Sequence, residues 1–191
     1  MQKTKLIRNL KLLNKTALDD FGKFINSPYF IERSQLPVLF SRLQRYSPGY
    51  IVSKENLFIE AFPGRKYSDT LMRKYISELN KKFEKYLAIS AFQKDEYEFS
   101  LSLAKEEYRL NNYEEVEKIT ASAIRKLHNE TISDEDHFFY LYKFESLLDV
   151  SAGSVPSFSR GESGEQAIST FTDYSAIMIL KYYSKLPNNR K

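Results

Sequence analysis

The stretch from Ser68 to about Phe92 constrains the fold most. With roughly 100° per residue and Leu71 as origin, Leu71, Met72, Tyr75, Ile76, Leu79, Phe83, Tyr86 and Leu87 fall within about 160° of arc. Arg73, Lys74, Ser77, Glu78, Asn80, Lys81, Glu84 and Lys85 fill the other half, and Lys82 alone breaks the division. A strand period of two scatters these residues over both faces, so the segment reads as one long amphipathic helix whose apolar face needs helical neighbours. Almost every other segment also carries a helical period, and the chain reads as all-α.

Helix boundaries follow from capping residues and breakers. Thr16 opens a helix with Asp19 at capping-box-like spacing, stopped at Asn26-Ser27-Pro28 because the residue before proline is pushed out of the helical region. Ser34 caps a second helix to about Tyr46, ended by Ser47-Pro48-Gly49. Ser53 caps a third, Lys54 to Phe62, closed by Pro63-Gly64. With the long helix they form an N-terminal helical domain over residues 1–93.

Beyond it the apolar pattern changes. Tyr97, Leu101, Ala104 and Tyr108 share one face of the next helix while Phe99, Leu103 and Leu110 line the opposite one, as in a helix packed between two neighbours. Asn111-Asn112 supplies a turn, and the helix Tyr113 to Leu127 carries Val116, Ile119, Thr120, Ala123, Ile124 and Leu127 on one stripe. Ser133 to Asp136 starts a strongly apolar helix in capping-box style. Residues 94–150 thus form helical hairpins. Residues 151–168 read as a flexible Ser/Gly-rich loop, and 169–191 hold a terminal helix with Phe171, Tyr174, Ile177, Met178 and Tyr182 on one side. No polar capping repeat follows that helix, which predicts a longer helical array or a dimer through this end.

Tyr108-Arg-Leu-Asn111-Asn112-Tyr113-Glu-Glu115-Val116 followed by Ala123-Ile124 resembles the central hairpin of a tetratricopeptide repeat. It departs from that family at Asn111, where glycine is usual, at Val116, where alanine is usual, and at Ser100, where tryptophan is frequent. The resemblance implies antiparallel hairpins in a right-handed, solenoid-like stack. Leu13 to Phe30, Glu55 to Pro63 and the Leu71–Leu87 helix are similar to a group of uncharacterised bacterial helical proteins with a Ser-Pro-Tyr-Phe signature, here Ser27-Pro28-Tyr29-Phe30. That likeness implies a cytoplasmic protein whose relatives are longer, and brings no activity with it.

Composition narrows function by exclusion. There is no cysteine, so disulfides, thiolate metal sites and thiol nucleophiles are out. The longest apolar runs, Phe138–Tyr142 and Ala176–Leu180, are five residues against the roughly 20 of a membrane span, and the basic N-terminus opens into no signal-like apolar region. His128 has no ligand-type neighbour at helical spacing and His137 only Asp134, so no metal is expected; the acids Asp134, Glu135 and Asp136 suit a helix start through the helix dipole. No glycine-rich phosphate loop is present and no serine has a recognisable base. The chain reads as a non-enzyme without cofactor.

Charge is segregated. Residues 1–94 carry 18 Lys and Arg against 8 Asp and Glu, net +10; residues 95–150 carry 6 against 14, net −8. Two functions fit. The first is a protein-protein interaction module or scaffold, holding a protein or peptide in a groove lined by Tyr97, Tyr108, Tyr140 and Tyr142. The second is a DNA-binding regulator, with Lys54, Arg65, Lys66, Arg73, Lys74, Lys81 and Lys85 around a helix-turn-helix-like Pro63-Gly64 hairpin. This order of segments also resembles bacterial transcriptional activators in which a winged helix-turn-helix precedes tetratricopeptide-like repeats, although no two-stranded wing is readable here.

Overall fold

The computed structural model describes residues 1–30, 35–131, 133–152 and 162–186. Among them are nine α-helices and no strand, packed as neighbouring pairs: the protein is all-α. The chain divides into two compact units, Met1–Ala91 and Phe92–Lys191.

The first unit contains α1 (Lys5–Leu10), α2 (Lys15–Asn26), α3 (Gln35–Gln44), α4 (Lys54–Ala61) and the start of α5 (Asp69–Lys94). Its core centres on Phe21, fully buried, with ring edges against Phe40 at 4.9 Å and Phe83 at 5.1 Å. Leu6, Ile7 and Leu10 of α1 close one side. Met72, Tyr75, Ile76, Leu79 and Phe83 form the buried face of α5, as the period requires. Leu87 departs from it and stays 43% exposed. Lys82, the one charge on the apolar arc, is half-buried and donates from Nζ to the Phe30 carbonyl at 2.5 Å. Its stem covers apolar surface while its ammonium holds the backbone at Phe30.

Two starts differ from the sequence reading. Helix α1 lies where no helix was expected, since six residues are too few for a period to show. The cap of α2 is Asn14, whose Oδ1 accepts from the Ala17 amide at 2.8 Å, rather than Thr16. Asparagine at that position outcompetes threonine for the first-turn donors. The Ser34 cap lies outside the described residues. Ser53 caps α4 as expected, accepting from the Asn56 amide at 3.0 Å.

The second unit stacks α6 (Glu96–Arg109), α7 (Tyr113–His128), α8 (Glu135–Ala152) and α9 (Glu162–Tyr183), each against the next, with α8 also touching α6. Leu101, Ala123, Leu127, Leu141 and Phe144 make its core. The opposite face of α6 does not pack as expected: Phe99, Leu103 and Leu110 remain 47%, 41% and 62% exposed.

The α6–α7 turn explains a departure from the repeat pattern. Asn111 has φ 61°, the left-handed region where glycine is favoured and asparagine is tolerated best among the others. The Asn112 amide donates to the Glu107 carbonyl at 2.9 Å and the Asn111 amide to Tyr108 at 3.0 Å, a complete Schellman closure of α6. Helix α8 is capped by Asp134, which accepts from the His137 amide at 3.0 Å, and not by Ser133. The expected loop at 151–168 is shorter than read: Ser151 and Ala152 finish α8 and α9 begins at Glu162. Gly164, expected in that loop, sits on α9 where an added Cβ would meet Asp149 Oδ1 at 3.1 Å. Its missing side chain lets α9 approach α8.

Candidate functional site

The four tyrosines of the expected groove divide between three places. Tyr97 and Tyr140 meet, ring centroids 5.5 Å apart. The Tyr97 hydroxyl donates to Glu130 at 2.5 Å and the Tyr140 hydroxyl to Asp95 at 2.8 Å. The second oxygen of Glu130 lies 3.4 Å from Nδ1 of the buried His137. Lys126, paired with Glu96, stands 5.8 Å over the Tyr97 ring. Burial, followed by the carboxylate beside each hydroxyl, raises both phenols far above the ordinary tyrosine range. They are fixed donors tying α6 and the α7–α8 connection to α8.

Tyr108 instead packs on Tyr113 at 5.7 Å, and Tyr142 on Phe171 of α9 at 5.0 Å. Tyr140 and Tyr142 are two positions apart on α8 and therefore point to different sides. Of the four, only Tyr97 lines the shallow groove between α6 and α7, with Ser100, Leu103, Ile119, Ser122 and Lys126.

The seven basic residues also separate. Asp69 accepts from Lys54 at 3.3 Å and from the Tyr67 hydroxyl at 3.1 Å, and pairs with Arg73 at 2.6 Å. Burial works to raise its carboxyl, yet these donors hold it below the ordinary range, so it is ionised and offsets both cations. Seven residues, Phe62 to Ser68, separate α4 from α5 where a DNA-reading helix-turn-helix uses about three or four. Arg65 in this connection lies 5.7 Å over the Phe62 ring, and Lys66 is exposed. Lys74, Lys81 and Lys85 are exposed along the outer side of α5. Of the two neutral hydrogen-bonding residues on the outer side of α5, Ser77 is exposed and Asn80 is occupied: it accepts from the Asn9 amide at 3.3 Å and donates to Glu84 at 2.9 Å.

Two features escaped the sequence reading. Glu145 of α8 is only 4% exposed and its Oε2 has no hydrogen-bond partner. Desolvation raises its carboxyl, against a hydrogen bond from Thr170 and the nearby His128. The other is the outer face of α9. Tyr174, Ile177 and Met178 of the expected stripe are partly covered, but Ile168, Ile179, Leu180, Tyr182 and Tyr183, with Leu186 just past the helix, are 62% to 73% exposed. An apolar count over Ala176 to Tyr183 gives the signal, because a helical segment apolar on nearly all sides expects burial on all sides.

Among the described residues, no group of three or more His, Asp or Glu side chains is placed to hold a metal ion, and no helix is long and apolar enough to cross a membrane. No protein-family model matches the chain, and no curated protein or solved structure is significantly similar to it.

Proposed function

We propose that the protein is a non-enzymatic, cytoplasmic interaction module whose second unit works as a tetratricopeptide-like stack, and that its contact surface is the outer face of α9. The exposed apolar row on α9 carries this reading. At ~180 Å² for a fully exposed large side chain, its five most exposed residues and Leu186 just past it present about 700 Å², near the ~800 Å² per partner of a standard interface. Five of the six, Ile179, Leu180, Tyr182, Tyr183 and Leu186, cluster at the C-terminal end of α9, an exposed apolar patch of the kind that marks an interaction site.

The occupant is the same face of a second copy. A pair of α9 helices about a two-fold axis buries both rows at once and needs no other surface. The fixed tyrosines and the left-handed Asn111 support the repeat-like geometry that presents α9 at the end of the stack. Light scattering across a concentration series tests the proposal. The 191-residue chain should dimerise, and Ile179→Glu should return it to monomer with its helical circular dichroism unchanged. A monomer at every concentration, or a dimer indifferent to Ile179→Glu and Tyr183→Glu alike, overturns it.

A second reading, duplex nucleic-acid binding by the first unit, is favoured by Lys74 and Lys81, both exposed on α5. Binding that weakens steeply with salt supports it, and no binding at low ionic strength removes it.

A further inference from the structure

We infer that the first unit holds a sequence-independent site for the phosphate backbone of duplex nucleic acid, built on α1 together with α5 and not on the α4–α5 hairpin. The inference rests on the second reading above and says where and how that binding occurs.

Helix α1 lies along α5. The Lys5 ammonium meets Glu84 at 2.7 Å and the Asn9 amide meets Asn80 at 3.3 Å, so residues one turn apart on each helix form a seam. On α5 the helical period sets Lys81 outward beside that seam, with Lys74 two turns earlier and Lys85 one turn later along the outer side; Glu78 lies on the same line and has an interaction of its own. From Lys74 to Lys85 the row runs about 16 Å. On α1, Leu6, Ile7 and Leu10 point into the core, which leaves Arg8 outward beside the seam, and Lys11 follows at the helix end.

Within this surface Glu84 is already held by Lys5 and Asn80, which keep its carboxyl below the ordinary range. Lys85 contacts the Phe30 ring at 5.1 Å, which orders its stem without neutralising it. The hairpin cations Lys54 and Arg73 are offset by Asp69 and add little.

The chemistry favours a phosphate backbone over a protein. Protein interfaces are built around apolar anchors and are depleted in lysine, whereas nucleic-acid interfaces are polar and strongly basic. No large apolar side chain is exposed within α1 or on the lysine row of α5; the exposed Leu87 lies on another side of that helix. Base reading needs free amides or guanidinium forks set into a groove, and Asn80 is committed to Asn9 and Glu84. The surface therefore positions a polyanion and reads no sequence.

The test is fluorescence anisotropy of the full chain with two duplexes of unrelated sequence, between about 50 and 200 mM salt. Both should bind alike, and log K against log salt should fall with a slope of about −4.5 at most, the value for the five cations Arg8, Lys11, Lys74, Lys81 and Lys85 engaging phosphates. Arg8→Gln and Lys81→Gln should each reduce that slope by about one, and Arg8→Glu with Lys81→Glu and Lys85→Glu should abolish binding. Arg73→Gln should change little. All these positions are exposed, and circular dichroism checks their folding. Binding that survives the triple reversal but is lost on Arg65→Glu with Lys66→Glu overturns the α1–α5 site and leaves the DNA reading standing. No binding at low salt overturns both. Competition by poly-glutamate as strong as that by duplex overturns the choice of nucleic acid.

Discussion

Replacing Glu145 with methionine removes a carboxylate from the α8–α9 seam while keeping an unbranched chain of similar length. In the parent, Oε2 is buried without a partner, and the Thr170 bond meets only part of what water would supply. An unpaired buried acceptor costs about 1–3 kcal/mol, and more when ionised. The sign in pH follows from proton counting. Desolvation raises the native carboxyl above its unfolded value, so between the two values the native state binds more protons and stability falls as pH rises. Below the ordinary glutamate range both states are protonated and the stability is intact; above the raised value the loss is complete. Glu145→Met should therefore be about 1–3 kcal/mol more stable than the parent at neutral and alkaline pH, and nearly equal to it in acid. Hydrogen exchange of the α8 and α9 amides reads this apart from the first unit. Protection there should rise about five- to 150-fold at neutral pH, and Glu145→Gln should flatten the same pH dependence. A parent whose α8 protection is constant or rises with pH, or a Gln variant with the parent's slope, refutes the reasoning.

Asn111 at φ 61° predicts that Asn111→Gly is neutral or slightly stabilising and that Asn111→Val costs about 1–2 kcal/mol or more, measured by urea unfolding. Phe21→Ala should cost about 3–5 kcal/mol, because Phe21 is fully buried and leaves a cavity between Phe40 and Phe83. Tyr97 and Tyr140 have raised phenols, so they stabilise the fold below the ordinary tyrosine range and lose that contribution as pH climbs past it. Tyrosinate absorbance should accordingly show two groups that titrate only as the second unit unfolds, and the double Phe variant should lack them.

The long helices were legible from their period. The buried face of α5 and the stripe Val116, Thr120, Ala123 and Leu127 of α7 need nothing beyond spacing and hydropathy. Short or doubly apolar elements were not. Helix α1 spans under two turns, and the end of α9, Ala176 to Tyr183, is apolar on nearly every side, so its period there says little about which side is covered. Caps were misplaced by one or two residues where two good cappers stand close together, as with Asn14 and Thr16 or Asp134 and Ser133. The candidate sites were hardest, because they depend on residues distant in the chain. Nothing near Lys54 announces that Asp69 will hold it together with Arg73, and nothing near Asn80 announces Asn9.

The order of helix contacts also sets how each unit comes together. In the second unit α6 through α9 pack mainly on sequence neighbours, so chain closure costs little and structure can propagate helix by helix, as in a one-dimensional array. Helix α9 has one described neighbour and should open first, at the low-stability end of native exchange. The first unit is closed by contacts between its two ends, Lys5 to Glu84 and Tyr86 to the Ala17 carbonyl. It must bring those ends together before its core is sealed, and α1 can lock only after α5 exists. On the ribosome the second unit can grow as it is made, while the first must wait for its last helix.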